Sequence, residues 1–343
     1  MRNWKTIFLS LFCAIALNCL AGCRQELGEG RDLGRFDPNV ASVRYARDGS
    51  IRMDFKRPPT DNFHITDQNV VRLHKQELRP VVKGKLSSGK EYPVLFDSGA
   101  PRYIYIQERH IRENNLPYRR LSIKGGKPVS IGLSFIDSLK LDGLALEQTP
   151  AIYIPDGPNL EILGIPFGTG KMIIVSLEMM REFKYICIDD IKKEVTLSRT
   201  QLFSPDVSED WIWYPMTVEN KENALYLFVT LAVQGKEMKL RFDTGAAAGL
   251  VFSRQQWDKV KSIFPEFWKF THSLKIPLGR FKSRTGLARN VEIAGLKRSM
   301  LDVTMVVEDN EYFDEADGFI GMTIFRKKTI VLDFARNLFW IKE

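Results

Sequence analysis

Cysteine and histidine are scarce in this chain, with four of each among 343 residues. Four cysteines are too few for a disulfide framework. The histidines, His64, His74, His110 and His272, show no ligand spacing to one another or to Cys187, so surface or tether positions are expected for them and no metal. The formal charge is +8 with a pI of about 9.2, yet no long basic run occurs, because Lys and Arg are dispersed among acidic residues; no nucleic-acid partner is expected. A phosphate-cradling loop is missing, as is a Ser in a strand-Gly-x-Ser-x-Gly-helix setting, and no cofactor is called for. The apolar run from Ile7 to about Leu20 is too short and interrupted for a membrane span. What is present, 44% hydrophobic and 27% charged residues over a length sufficient for about two domains, is the composition of an ordinary folded protein.

Residues 1–23 begin with Arg2 and Lys5, continue through the apolar stretch and end in small residues, the layout of an export signal. The ending Leu20-Ala21-Gly22-Cys23 resembles the lipobox of bacterial lipoproteins, which implies cleavage before Cys23 and acylation of its thiol. Residues 1–22 are then a removed signal peptide, the charge of the remainder is +6, and Cys187 has no partner. Cys187 sits in the apolar run Tyr185-Ile186-Cys187-Ile188 and reads as a small hydrophobe. Multiple acyl chains suffice for stable attachment to a membrane, placing the protein in a bacterial cell envelope, on the outer membrane or periplasmic face if two membranes are present. Residues 23–70, rich in Arg, Asp, Gly and Pro, read as a lipidated tether with room for one short hairpin.

An internal repeat organises the rest. Gly89-Lys90-Glu91 leads to Asp97-Ser98-Gly99-Ala100, and Gly235-Lys236-Glu237 leads at the same spacing to Asp243-Thr244-Gly245-Ala246. Each copy has a strand-like run before the Gly and another after the Asp motif, so the Gly is expected in a hairpin turn. Further on, Ile174-Val175-Ser176 and Phe319-Ile320-Gly321 correspond, with Ser176 79 residues beyond Asp97 and Gly321 78 residues beyond Asp243. The chain thus divides into two copies of one β-rich unit, 71–205 and 206–343.

Two Asp-Ser/Thr-Gly motifs at equivalent positions of a duplicated unit can be brought face to face by a pseudo-twofold axis. Like charges at that distance cannot both ionise, so one proton is shared. On these motifs the sequence resembles the pepsin and retropepsin aspartic peptidases over nearly all of 71–343. The resemblance implies an all-β, bilobal pepsin-like acid-protease β-barrel fold with few short helices and two pseudo-twofold-related lobes. It also implies roles. Asp97 and Asp243 would hold and activate a water, Ser98 and Thr244 would bond across the loops, and Gly99 and Gly245 would permit close backbone approach. Ser176 and Gly321 would be the hydrophobic-Gly strand positions behind each loop; Ile162-Leu163-Gly164, twelve residues earlier, is the competing register in lobe 1. Ala100 and Ala246 lack the hydroxyl usual in pepsins, so a milder pH optimum is expected, not one below about pH 3.

A flap is expected over the cleft, at Gly125 and Gly126 in lobe 1, and at Gly279-Arg280-Phe281 or Arg284-Thr285-Gly286 in lobe 2. Trp211, Trp213, Tyr214, Trp257, Phe264, Phe267 and Trp268 read as core or lobe-edge packing, and Asp189 and Asp333 as turn-capping groups. The activity implied is that of a membrane-anchored aspartic endopeptidase acting on a peptide or protein substrate. The alternative is a peptide-binding module of the same fold without turnover. Two lobes in one chain make a monomer sufficient to form the site.

Overall fold

The computed structural model describes residues 69–343 except 74–78, 101–102, 124–130, 155–160, 163–164, 167–171, 222–223, 265–266, 277–278, 308–315 and 343, with short strands at 25–27, 41–45, 51–55 and 63–64. The expected signal peptide, Cys23, Gly125 and Gly126 lie outside the described residues, as do Leu163 and Gly164.

Strong alternation sets the strands that carry the motifs. Along Glu91–Asp97, Tyr92, Val94 and Phe96 enter the core, leaving Pro93, Leu95 and Asp97 on the other face; along Lys236–Asp243, Met238, Leu240 and Phe242 enter it, leaving Lys239, Arg241 and Asp243. Each of these strands follows an antiparallel partner, Val81–Leu86 and Ala224–Val233 respectively. The second hairpin turns in two residues, Gln234 and Gly235, both with positive φ (50° and 76°), the geometry that matches the twist of paired strands.

Both halves then close in the same way. In the first, Val81–Leu86, Glu91–Asp97, Ile173–Ser176, Ile104–Gln107, Leu144–Ile154 and Ile131–Leu141 are neighbours in that order, and the last pairs back to the first. In the second, Ala224–Val233, Lys236–Asp243, Gly318–Gly321, Leu250–Ser253, Leu296–Val306 and Gly279–Ile293 repeat the ring and close through Val233 opposite Ile293. Two six-stranded barrels result, each removing its own strand edges. This is the all-β arrangement of two related β-barrel lobes expected from the sequence. One continuous buried core, with Phe96, Ile104 and Tyr153 in the first half and Phe242, Phe252 and Val303 in the second, runs through both.

A third sheet joins the halves. Its order is Trp211–Lys221, Leu338–Lys342, Thr329–Asp333, Tyr185–Asp189, Glu194–Ser198 and Asn69–Arg72. The two central strands pair antiparallel, with Cys187 opposite Val331, and these are the equivalent residues of the two copies, so the pseudo-twofold axis passes between them. Cys187 is half-buried against Tyr185, Val331 and Trp340, and burial pushes its thiol up to about 12. Within 23–70, the strands Ala41–Tyr45 and Ile51–Phe55 form a hairpin, while Gln25–Leu27 and Phe63–His64 pair with strands of the first half.

One sequence expectation is corrected here. His110 is fully buried, not on the surface: it lies in the helix Glu108–Asn114, where its Nδ1 accepts the Gln107 amide at 2.8 Å and its ring meets Tyr92 edge-on. Capping the helix start consumes its acceptor. Asp189 accepts the amides of Ile191 and Lys192 in a turn, and buried Asp333 takes the Arg336 amide and Nε. Trp257 stacks on Phe264 beside Phe252, while Trp213 is 55% exposed. Among the described residues no cluster of His, Cys, Asp and Glu could hold a metal ion, and no helix is long and apolar enough to cross a membrane.

Candidate active site

The two Asp motifs end the strands Glu91–Asp97 and Lys236–Asp243, and each loop is clasped from behind by a strand running parallel to the first. Ser176 sits opposite Asp97 in the same register as Gly321 opposite Asp243. Ser176 donates its amide to Tyr103 and Leu177 to Ala100; Gly321 donates to Gly249 and Met322 to Ala246. In lobe 1 it is therefore Ser176, and not Gly164, that occupies the place behind the loop.

The loops hold each other through four reciprocal bonds. The Ser98 amide donates to Thr244 Oγ1 (2.9 Å) and the Thr244 amide to Ser98 Oγ (3.0 Å). Each hydroxyl then donates onward to the opposite strand, Ser98 Oγ to the Phe242 carbonyl and Thr244 Oγ1 to the Phe96 carbonyl, both at 2.8 Å. Every polar atom of the two hydroxyls is used, inside a core where an unmade bond costs about 1–3 kcal/mol. The grip draws Asp97 and Asp243 together, close enough that each raises the cost of ionising the other. Gly99 and Gly245 face the opposing carboxylates so closely that a Cβ at Gly99 would lie 2.5 Å from Asp243 Oδ2, and one at Gly245 2.5 Å from Asp97 Oδ1. Any side chain there would displace the acid across the axis.

Each carboxylate is also anchored by its own loop. Asp97 Oδ1 accepts the Gly99 amide at 2.8 Å and the Ala100 amide at 3.2 Å, and Asp243 Oδ1 accepts the Gly245 amide at 2.8 Å. Exposure is 2% for Asp97 and 8% for Asp243. Burial first, and then the charge of Asp243, drive Asp97 well above the ordinary carboxylate range. Asp243 is raised as well by burial, but the charge of Arg241 and the hydrogen bond from Asp97 oppose the rise. Both acids are thus disfavoured from ionising together, and the titration of the pair belongs to both residues.

The lobes differ behind this symmetric front. A Cβ at Gly321 would lie 2.5 Å from the Ala248 carbonyl and 2.7 Å from that of Ala246, so only glycine fits there. Ser176 has room for its side chain, but its fully buried Oγ finds no hydrogen-bond partner. Two features were not predicted from the sequence. Tyr103 adopts φ 56° at the end of the lobe 1 loop, its amide donating to Glu178 Oε2 at 3.2 Å; Arg241 lies buried two residues before Asp243. A buried Arg in a strand next to a motif acid was the one available signal. Of the lobe 2 flap candidates, Gly279-Arg280-Phe281 follows the tip of the hairpin Phe267–Ile276 and Gly279–Ile293, and Arg284-Thr285-Gly286 lies along its second strand.

Two outcomes are expected. Ser176→Ala, which removes an unpartnered buried hydroxyl, raises stability by about 1 kcal/mol, whereas Gly321→Ala lowers it by more than that; matched thermal melts in which the two changes have the same sign would contradict the packing described. Folding gives the acid pair a proton that free carboxylates release near pH 4, so the pair adds stability at low pH and loses it as pH rises through the raised value. Asp97→Asn removes that loss, and its melting temperature should gain on wild type by roughly 2–4 °C as pH is raised from about 4 to 8. A difference that shrinks over this range would show that Asp97 is not the proton-holding acid.

No family model matches the chain, and no curated protein matches it in sequence. Among solved structures the chain is similar to basic 7S globulin from soybean, at 11% identity over 82% of this chain and 95% of that one, with a TM-score of 0.44. It is similar to conglutin gamma, a basic 7S globulin from lupine seeds, at 10% identity over 80% and 95%, TM-score 0.47. It is also similar to an aspartic proteinase from Irpex lacteus, at 10% identity over 80% and 97%, TM-score 0.49.

Proposed function

We propose that the protein is an aspartic endopeptidase that hydrolyses peptide bonds with a water activated between Asp97 and Asp243. The observation that carries this reading is the pair of buried carboxylates, each packed against the opposite loop's glycine and clamped by reciprocal Ser98 and Thr244 bonds. In the reaction, Asp243, carrying the charge, takes a proton from the water as its oxygen bonds to the scissile carbonyl carbon. Asp97 gives its proton to the carbonyl oxygen, so the tetrahedral intermediate forms neutral. Asp97 then recovers a proton from one of its hydroxyls while Asp243 passes the water's proton to the leaving amine, breaking the C–N bond and restoring the pair. The reaction needs one acid protonated and one ionised before substrate arrives, and burial with the close approach of the two favours keeping one proton between them.

The substrate is an extended peptide or protein segment, which the strand-rich walls of such a site can bind through its backbone. The protein is further proposed to be held at the bacterial cell envelope by lipid on Cys23 and to work as a monomer, since both acids come from one chain.

The activity is tested by incubating residues 24–343 with denatured proteins and following cleavage. Wild type should cut, and Asp97→Asn and Asp243→Asn should each lose at least about a hundredfold in rate. Cutting that survives both substitutions would exclude the acid pair; tight peptide binding without cleavage from about pH 3 to 8 would favour a binding module of the same fold. For the anchor, full-length protein expressed in a bacterium should sediment with membranes, and Cys23→Ala should remain unprocessed and take up no labelled fatty acid. Equal labelling of both would remove Cys23 as the acylation site.

A further inference from the structure

The acid pair sits on a symmetric frame with an asymmetric charge beside it. On the strand face that carries the acids, the residue two positions before Asp97 is Leu95 and the residue two positions before Asp243 is Arg241. Both side chains are buried, Leu95 at 1% and Arg241 at 4% exposure. Leu95 lines a small apolar cavity of lobe 1 with Tyr105, Ile106 and Ile174. Arg241 fills the matching space in lobe 2, its guanidinium 4.2 Å from the ring centre of Tyr226 and 5.1 Å from that of Phe319. Phe319 is its register partner on the strand behind the loop, so the cation lies within cation–π reach of two rings from the strands on either side. A rigid, permanently charged group is thereby fixed in a low-dielectric site on the same face as Asp243, where charge acts strongly.

We propose that Arg241 is a positioning residue that decides which aspartate carries the shared proton, holding the negative charge on Asp243 and leaving the proton on Asp97. This rests on the peptidase reading for its role in turnover, but not for its effect on the pair itself. The opposing influences at the two acids agree with it: Arg241 lowers Asp243, whereas what acts on Asp97 is burial, the Asp243 charge and the Gly99 and Ala100 amides.

Among the described residues, the other charged or titratable groups around the pair are these. On the Arg241 face, Lys239 pairs with Glu219, which also meets Lys221 at 3.1 Å, and Asp317 accepts the Lys239 amide; Tyr226 lies under the guanidinium. Asp302 accepts the Gly249 amide at 2.7 Å. From lobe 1, Arg79 and Tyr105 line the cavity with Leu95, and Glu178 is bonded to the Tyr103 amide. Lys239, Glu219 and Asp317 are thus engaged with one another, and Arg241 is the cation whose charge is felt at Asp243.

The sign follows from electrostatics. A fixed cation favours every ionised state of the pair, so removing it moves both ionisations to higher pH, and removing it beside one acid makes the proton more evenly shared. The experiment is a pH titration of carbon-13-labelled aspartate side chains by NMR, without substrate, in wild type and in Arg241→Leu, Arg241→Gln and Arg241→Lys. Wild type should show Asp243 ionised and Asp97 protonated over a wide range. Leu and Gln should shift both steps upward and narrow the difference between the acids, while Lys, which keeps the charge, should stay near wild type. If cleavage is found, Leu and Gln should also lose rate several-fold on the acid limb of kcat/KM and recover it at higher pH. Titrations of the folded Leu and Gln variants that match wild type would overturn the inference, since lost packing alone moves stability and not these curves. Should Leu fail to fold, Gln and Lys decide it. Absence of cleavage in wild type would defeat the peptidase reading and leave this titration result standing.

Discussion

Four hydrogen bonds made by Ser98 and Thr244, two to each other and two to the Phe242 and Phe96 carbonyls, hold the whole arrangement in place. Each barrel is closed by its own ladder, yet the acids become a pair only because two loops from separate barrels are tied at the axis. The tie is costly to break at any point, since each hydroxyl is donor and acceptor at once and both are buried. It is also what makes the burial of two adjacent carboxylates tolerable: the amides of Gly99, Ala100 and Gly245 and the shared proton replace the water that each acid gives up.

Much of this was legible in the amino-acid order. The duplicated Asp-Ser/Thr-Gly motif pointed to the axis, and alternation along Glu91–Asp97 and Lys236–Asp243 marked which face enters the core. The correspondence of Ser176 with Gly321 could be read from spacing, against the pull of the more glycine-like Gly164, because the surrounding apolar pattern is kept. Barrel closure was expected only through the resemblance and not from the residue pattern, since it depends on pairings such as Val233 with Ile293, which lie several strands apart in the chain. His110 was misread because a histidine's surroundings are set by tertiary packing: only the fold shows that it caps its helix beneath Tyr92. Arg241 went unremarked for a related reason, as a positive charge in a strand reads as an outward residue until its neighbours prove to be aromatic rings.

The symmetry that assembles the site is relaxed wherever the two acids must differ. At the loops the cross-bonds of Ser98 and Thr244 are matched one for one. Just behind them the halves part, with Ser176 at the position equivalent to Gly321, Leu95 at that of Arg241 and Tyr103 at that of Gly249. A strictly twofold site would leave its proton evenly divided, and a reaction that needs one acid to give and the other to take gains from a built-in difference. The differences cluster on the face away from the barrel cores, where they alter charge and local packing without disturbing closure.

The joining sheet has a consequence for how the chain reaches its final state. Tyr185–Asp189, from the first half, finds its central partner only in Thr329–Asp333, and Ser98 finds Thr244 at a distance of 146 residues. Contacts so far apart in sequence are slow to form, and an edge strand waiting for its neighbour is sticky in the interval. As the chain leaves the ribosome, the first barrel can close while its half of the joining sheet and its half of the acid pair still face water. The pairing of the two acids is therefore a late product of folding, completed by docking of the second barrel rather than by any event in the first.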